Sequence, residues 1–142
     1  MMTREEQTAF LSKEYLEAIR YMDNAKETLS KAKKEDYGFY KDKKYVRTAC
    51  GTAYNGVLIA VDAWFVLKGV PKISKKQRKS IEYYYQNVAK LDKKLLSQLQ
   101  AAYSVLHLEG YYDGITDVKL INRGFELADE IINKIKPEEV RL

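Results

Sequence analysis

The chain contains 142 residues, of which 46% are hydrophobic and 32% are charged. This length and composition are typical of one globular domain with a single core, here residues 1–142, and they exclude a disordered chain. Lysine and arginine outnumber aspartate and glutamate by 25 to 20, which gives a net charge of +5. An excess of this size is more typical of solvated loops and helix ends than of a dedicated nucleic-acid-binding protein.

Three features predict a soluble cytoplasmic protein without a membrane anchor. Cys50 is the single cysteine, so the chain cannot form an intramolecular disulfide. The N-terminal stretch MMTREEQTAF is polar and acidic, where a secretory signal would be basic and then apolar. The apolar run Gly56–Leu67 is too short to span a bilayer, and it includes Asp62.

The first helix is predicted to begin near Thr3, because Glu5 and Glu6 would then lie in its first turn, where carboxylates favour the helix dipole. Its apolar positions repeat every three or four residues and comprise Leu11, Tyr15, Ile19, Met22, Ala25 and Leu29. We expect the helix to end in the charged run that follows, with Gly38 as the breaker.

The second predicted helix, Val46–Gly69, is the longest apolar segment and the one around which the bundle should form. Its apolar residues fall in two adjacent seams at helical spacing, so it should contact neighbours on more than one side. The polar residues that interrupt these seams lie roughly along one stripe and are Thr48, Thr52, Asn55 and Asp62. Gly69 and then Pro71 provide the expected helix stop.

Three further helices follow. Ser74 can cap the third and Asp92 the fourth, which runs to Gly110; Thr116 can cap the last, which Pro137 ends. No segment alternates with period two over the length of a strand. The sequence therefore predicts an all-α, up-and-down bundle of four to five helices.

Most catalytic patterns are missing from the sequence. The glycines are scattered rather than gathered in a phosphate-binding loop. One histidine and one cysteine cannot form a tetrahedral zinc site, and a Glu-x-x-His di-iron centre needs two histidines. We therefore expect no metal and no cofactor. Cys50 stands among apolar residues, which raise the pKa of a thiol, so we expect it to be structural.

Two places can carry polar chemistry. His107 is followed by Glu109 and Asp113; it can be a general acid or base, or a packed histidine near a helix C-terminus. Asp62 lies in an apolar run, so its carboxylate must be paired. Its partner is either a Lys, Arg or Tyr of a neighbouring helix, or a polar pocket that it forms with Asn55 and a tyrosine.

Basic residues cluster in two stretches that can attract phosphate or an acidic partner. Lys31–Arg47 contains seven basic residues against three acidic ones, and Lys68–Lys79 contains six basic residues and no acidic one. In the second stretch the candidate contacts for nucleic acid or phosphate are Lys72, Lys75, Lys76, Arg78 and Lys79.

The second helix contains RTACGTAYNGVLIAVDAWFVLKG, and the fourth contains AAYSVLHLEGYYDG. Together these phrases resemble the HEPN-like helical domains of prokaryotes, more narrowly a small bacterial branch of uncharacterised proteins. The resemblance implies a bundle of four to five helices that commonly forms a dimer. In ribonuclease members an arginine precedes a histidine with four to six residues between them, and the two meet near the dimer interface. His107 matches that histidine, whereas the place of the arginine falls on Gln100, Ala101 or Ala102.

The missing arginine, the twelve tyrosines and the absence of a catalytic motif favour a non-catalytic HEPN-like protein. It would act through a homodimer or through a protein partner, for which the resemblance implies a nucleotidyltransferase-type protein. Two alternatives stay open: a nucleotide- or RNA-binding module, and a degenerate HEPN ribonuclease centred on His107.

Overall fold

The computed structural model describes residues 2–74 and 76–137 and shows an all-α bundle, as predicted. Its five helices are α1 (Arg4–Ser30), α2 (Lys43–Leu67), α3 (Ile81–Ala89), α4 (Lys93–Ala102) and α5 (Val118–Asn133). A π-helical segment, Tyr103–Tyr112, continues α4. The described residues form no β-strand, only the isolated bridges Lys34–Tyr40 and Phe39–Asp117.

Several helix ends lie where the sequence predicts them. The Thr3 hydroxyl accepts a hydrogen bond from the backbone N–H of Glu6, and the Glu6 carboxylate accepts one from Thr3, which forms a capping box. Asp92 caps α4 through the N–H of Leu95. Helix α2 ends at Leu67, and Gly69 follows with a φ of +71°.

Two predicted caps are wrong. The Ser74 hydroxyl accepts a hydrogen bond from the N–H of Lys76 and closes only a turn. Helix α3 begins at Ile81, and its N-cap is Ser80, whose hydroxyl accepts the N–H of Tyr83. An earlier start would place several cations at the positive end of the helix dipole, which is unfavourable. The cap of α5 is Asp117 rather than Thr116, because the Thr116 carbonyl accepts the N–H of Tyr40 instead of starting the helix.

The longer helices run up and down. Lys134, near the end of α5, pairs with Asp92 at the start of α4, and the middle of α5 at Gly124 packs against Val105 and Leu106. Helix α5 therefore runs antiparallel to α4 and the π segment. The same reasoning shows that α1 and α2 are antiparallel, because the end of α1 is bonded to the start of α2 and Gly56 of α2 lies against Ala18 of α1. Helix α2 and the π segment are also antiparallel.

Helix α2 forms the centre of the core. Both of its predicted seams are buried except at Leu58 and Leu67, which are partly buried. The fully or nearly fully buried members are Val46, Ala49, Cys50, Ala53, Val57, Ala60, Val61 and Phe65. By length and composition, α2 could cross a membrane, since its most apolar window has a mean hydropathy of 1.4. More than half of that window is buried inside the bundle, so its apolar character is accounted for by the core.

Candidate functional site

His107 lies in the middle of the π segment. A π-helix bonds each N–H to the carbonyl five residues earlier. Such segments are rare in proteins, and those that occur are often at functional sites. The Asp113 N–H still bonds to the Leu108 carbonyl at 2.9 Å, with the same spacing of five residues. In an α-helix, a residue five positions later lies about 140° around the axis. The wider π turn brings both Tyr111 and Tyr112 against the imidazole of His107.

Small residues let the π segment approach α2 closely. A Cβ on Gly110 would lie 2.5 Å from Cys50 Sγ, and a Cβ on Gly51 would lie 3.0 Å from Cδ1 of Tyr111. These contacts hold the His107 face of the segment against α2.

Four tyrosine rings surround the imidazole of His107. Its centroid is 4.8 Å from Tyr54, 5.1 Å from Tyr103, 5.9 Å from Tyr111 and 5.0 Å from Tyr112. Tyr111 stacks at an interplanar angle of 12°, and Tyr112 meets the imidazole edge-on at 89°. Tyr54 comes from α2 and the other three tyrosines come from the π segment, so the cluster joins the two elements.

Burial lowers the pKa of His107, so the imidazole is neutral at pH 7. Glu109 and Asp113, which the sequence suggests as its partners, make no hydrogen bond to it in the part of the chain that the structure describes. The neutral ring can donate a hydrogen bond from one nitrogen and accept one at the other, and the groups packed around it are phenol rings. The geometry therefore favours a neutral, polar, aromatic contact surface.

A cleft of about 400 Å³ opens beside His107. Its lining comes from one face of α2 and from the π segment and comprises Thr48, Gly51, Thr52, Tyr54, Asn55, His107 and Tyr111. The Thr48 and Thr52 hydroxyls donate to the carbonyls of Lys44 and Thr48 within α2. Burial raises the pKa of Tyr54, so its phenol is uncharged. The cleft can offer rings and neutral polar groups to a ligand.

The structure separates the two members of the predicted polar pocket. Asn55 lines the His107 cleft, whereas the Asp62 carboxylate accepts hydrogen bonds from the Tyr84 hydroxyl at 2.9 Å and from Lys79 Nζ at 3.1 Å. Burial and the neighbouring carboxylate raise the pKa of Tyr84. The pairing of Asp62 with a lysine and a tyrosine is one of the two alternatives that the sequence leaves open.

The predicted phosphate contacts lie in the connection between α2 and α3. Lys72, Lys76 and Arg78 are exposed there, and Lys79 pairs with Asp62. Lys75 lies outside the described residues. Cys50 is fully buried, and burial raises the pKa of its thiol to about 12.

Three of the tyrosines around His107, namely Tyr54, Tyr103 and Tyr112, are functional candidates that sequence reasoning does not single out. The spacing of four residues between Tyr103, His107 and Tyr111 places them on one helix face and is a usable signal. The stripe of Thr48, Thr52 and Asn55 on α2 is a second one. In residues 2–74 and 76–137, no group of three or more His, Cys, Asp or Glu side chains could hold a metal ion.

An all-α bundle with an aromatic cleft between its central helix and a π segment defines the class of this protein. The chain belongs to the family described as Domain of unknown function (DUF5618), whose model matches residues 13–137. It is similar to a protein of unknown function from Dyadobacter fermentans, with 42% identity and a TM-score of 0.78. That match covers 87% of this chain and 94% of the other. No curated protein matches the chain.

Proposed function

We propose that this is a cytoplasmic, non-catalytic, HEPN-like helical-bundle protein that acts as a homodimer. One observation carries the proposal: four apolar side chains are exposed within eight residues at one end of the bundle. Leu108 is 40% exposed, Tyr111 45%, Tyr112 62% and Ile115 39%. We call these four residues the aromatic face. Tyrosine suits an interface because it offers a large apolar area with one polar group.

A second copy of the chain is the partner that fits the aromatic face. Its acidic neighbours in the sequence are Glu109 and Asp113, and its basic neighbours are Lys43 and Arg47, whose side chains lie over Gly114. In a twofold dimer the same patch meets itself in reverse orientation. A patch with both signs of charge can then pair acid with base across the axis.

The absence of catalysis is supported at His107 itself. The positions at which the resemblance would require an arginine hold Gln100, Ala101 and Ala102, the last of which is buried. None of the three has a guanidinium group to stabilise a phosphate in a transition state. Among the described residues no carboxylate is hydrogen-bonded to the imidazole, so none orients it as a general base.

Light scattering coupled to size exclusion tests the dimer. We expect wild type to have twice the mass of the chain and Leu108→Ser/Tyr112→Ser to be a monomer. Both side chains are exposed, so the variant should fold, which circular dichroism checks. The matched control is Leu16→Ser on α1, which removes a leucine that is 51% exposed, against 40% for Leu108. A wild type that stays monomeric at high concentration would contradict the proposal.

The open cleft beside His107 favours a second candidate, a nucleotide- or RNA-binding module or a degenerate ribonuclease. A comparison of wild type with His107→Ala in an RNA-cleavage assay tests the ribonuclease, and equal background rates for the two proteins would contradict it.

A protein partner of the nucleotidyltransferase type is a further candidate. Mass spectrometry of the complex purified from the source cell, for wild type and for Leu108→Ser/Tyr112→Ser, tests whether such a partner depends on the aromatic face.

A further inference from the structure

The connection between α1 and α2, residues 31–42, is a closed hairpin. We call this connection, together with Lys43 and Lys44 of the first turn of α2, the lysine hairpin. The Lys41 N–H bonds to the Lys33 carbonyl at 2.8 Å, and the Asp42 N–H bonds to the Ala32 carbonyl at 3.0 Å. Near the tip, the Glu35 N–H bonds to the Phe39 carbonyl at 2.7 Å. The Tyr40 N–H bonds to Thr116 at 2.8 Å and ties the hairpin to the start of α5. The hairpin is therefore a defined structure.

The base of the hairpin forms a strongly positive groove of about 580 Å³. Five lysines line it: Lys31, Lys33, Lys41, Lys43 and Lys44. Asp42 is the one acid in the lining, and its carboxylate caps α2 through the Lys44 N–H. In the part of the chain that the structure describes, none of the five lysines forms an ion pair. This concentration of like charge repels itself unless an anion binds.

The tip of the hairpin presents an aromatic ring to solvent. Tyr37 is 96% exposed, so its ring contributes nothing to the core. Its φ is +71° and that of Gly38 is +85°, so two successive residues of the tip turn lie in the left-handed region. Such turns favour Asn or Gly at the first of these positions, and a tyrosine there is strained. Strained residues without a packing role are concentrated at functional sites.

We propose that the lysine hairpin binds single-stranded nucleic acid. Phosphates would lie in the lysine groove, and an unpaired base would stack on Tyr37. Lysine-lined grooves bind along a phosphate backbone, and exposed aromatic rings stack on unpaired bases. Glu35 and Asp36 flank the tip, and their carboxylates repel a phosphate there. A base is therefore the part of the nucleotide that we expect at the Tyr37 ring. This proposal does not depend on the aromatic face or on dimer formation.

Fluorescence anisotropy with a labelled oligouridine RNA tests the site over a range of salt concentrations. Lys33→Gln/Lys41→Gln should weaken binding and reduce the slope of log affinity against log salt by about 1.4, because two phosphate contacts to a single strand are lost. Tyr37→Asn, which suits the left-handed backbone, should weaken binding on the order of fivefold or more through lost stacking. Tyr37→Phe keeps a ring and should bind like wild type.

The matched control is Lys72→Gln/Lys76→Gln, which removes the same charge from the connection between α2 and α3. We expect it to change the affinity much less than Lys33→Gln/Lys41→Gln does. Several results would overturn the proposal: no binding at the lowest salt, an equal loss in the control, or an affinity unchanged by Tyr37→Asn. Equal affinity for the same sequence in a duplex, or equally effective competition by polyglutamate, would also overturn it.

Discussion

Gly110 and Cys50 are in direct contact where the π segment crosses α2. A Cβ on Gly110 would lie 2.5 Å from Cys50 Sγ and 2.9 Å from Cys50 Cβ. Cys50 is fully buried in the core, so neither side of the contact can move into solvent. The contact fixes the depth at which the π segment, and with it the ring of His107, lies on the central helix.

Gly110→Ala should therefore destabilise the protein. Alanine normally favours a helix over glycine, but here the added methyl group overpacks the core and should lower the free energy of unfolding by about 1–3 kcal/mol. Urea denaturation measures the loss. The comparison is Gly51→Ala, whose methyl group would meet the half-exposed ring of Tyr111, which can rotate away. A loss at Gly51 as large as that at Gly110 would contradict this account.

The fold could be predicted from the sequence because helical periodicity is a local signal. The seams of α2 are visible in the chain, and their burial follows from the apolar residue types. Cap residue type alone does not predict the start of α3, since Ser74 and Ser80 are equally good caps, although the cations after Ser74 disfavour the earlier start. The choice depends on tertiary contacts, among them the bonds of Lys79 and Tyr84 to Asp62.

Those bonds lead to a prediction about the two partners of Asp62. Tyr84 is 4% exposed, so Asp62→Ala leaves a buried hydroxyl without a partner and should lower the free energy of unfolding by about 1–3 kcal/mol. Lys79 is exposed, and Lys79→Ala should lower it by less than about 1 kcal/mol. Denaturant titration of both variants provides the measurement. Equal losses would mean that the lysine, rather than the tyrosine, determines the role of Asp62.

His107 should titrate below the ordinary histidine pKa of about 6.5, because burial disfavours the imidazolium. His107 is the single histidine of the chain, so an NMR titration of its ring protons gives this pKa without an assignment problem. A midpoint at or above the ordinary value would show that the imidazole has an anionic partner or is solvated.

The same shift makes stability depend on pH. Below about pH 6.5 the unfolded chain binds more protons at His107 than the folded protein does. The stability that depends on a neutral His107 is therefore fully present above that pH, and it is lost as the pH falls through the pKa of His107 in the folded protein. Between about pH 7.5 and 5, the free energy of unfolding should fall more in wild type than in His107→Gln. Identical pH profiles would contradict the prediction.

The candidate site could be predicted only in part. Residue chemistry points to His107, and the tyrosine spacing places Tyr111 one helical turn from it. The contact with Tyr112 could not be predicted, because it needs the π geometry. That geometry depends on how closely Gly110 packs on Cys50, which is a tertiary property. Asn55 and Asp62 are both polar residues of α2, but seven positions separate them, and they meet different neighbours.

Tyr37→Asn should stabilise the folded protein. The φ of Tyr37 is +71°, a conformation that costs an ordinary L-residue about 1–2 kcal/mol and that asparagine adopts more readily. The ring is almost fully exposed, so no core contact is lost with it. We expect the free energy of unfolding to rise by about 0.5–1 kcal/mol, measured by urea denaturation. Tyr37→Phe keeps the strain and should leave stability unchanged, whereas a loss in Tyr37→Asn would show that the ring packs against the protein. A variant that is more stable and yet binds single-stranded RNA more weakly would separate the role of Tyr37 in binding from any role in folding.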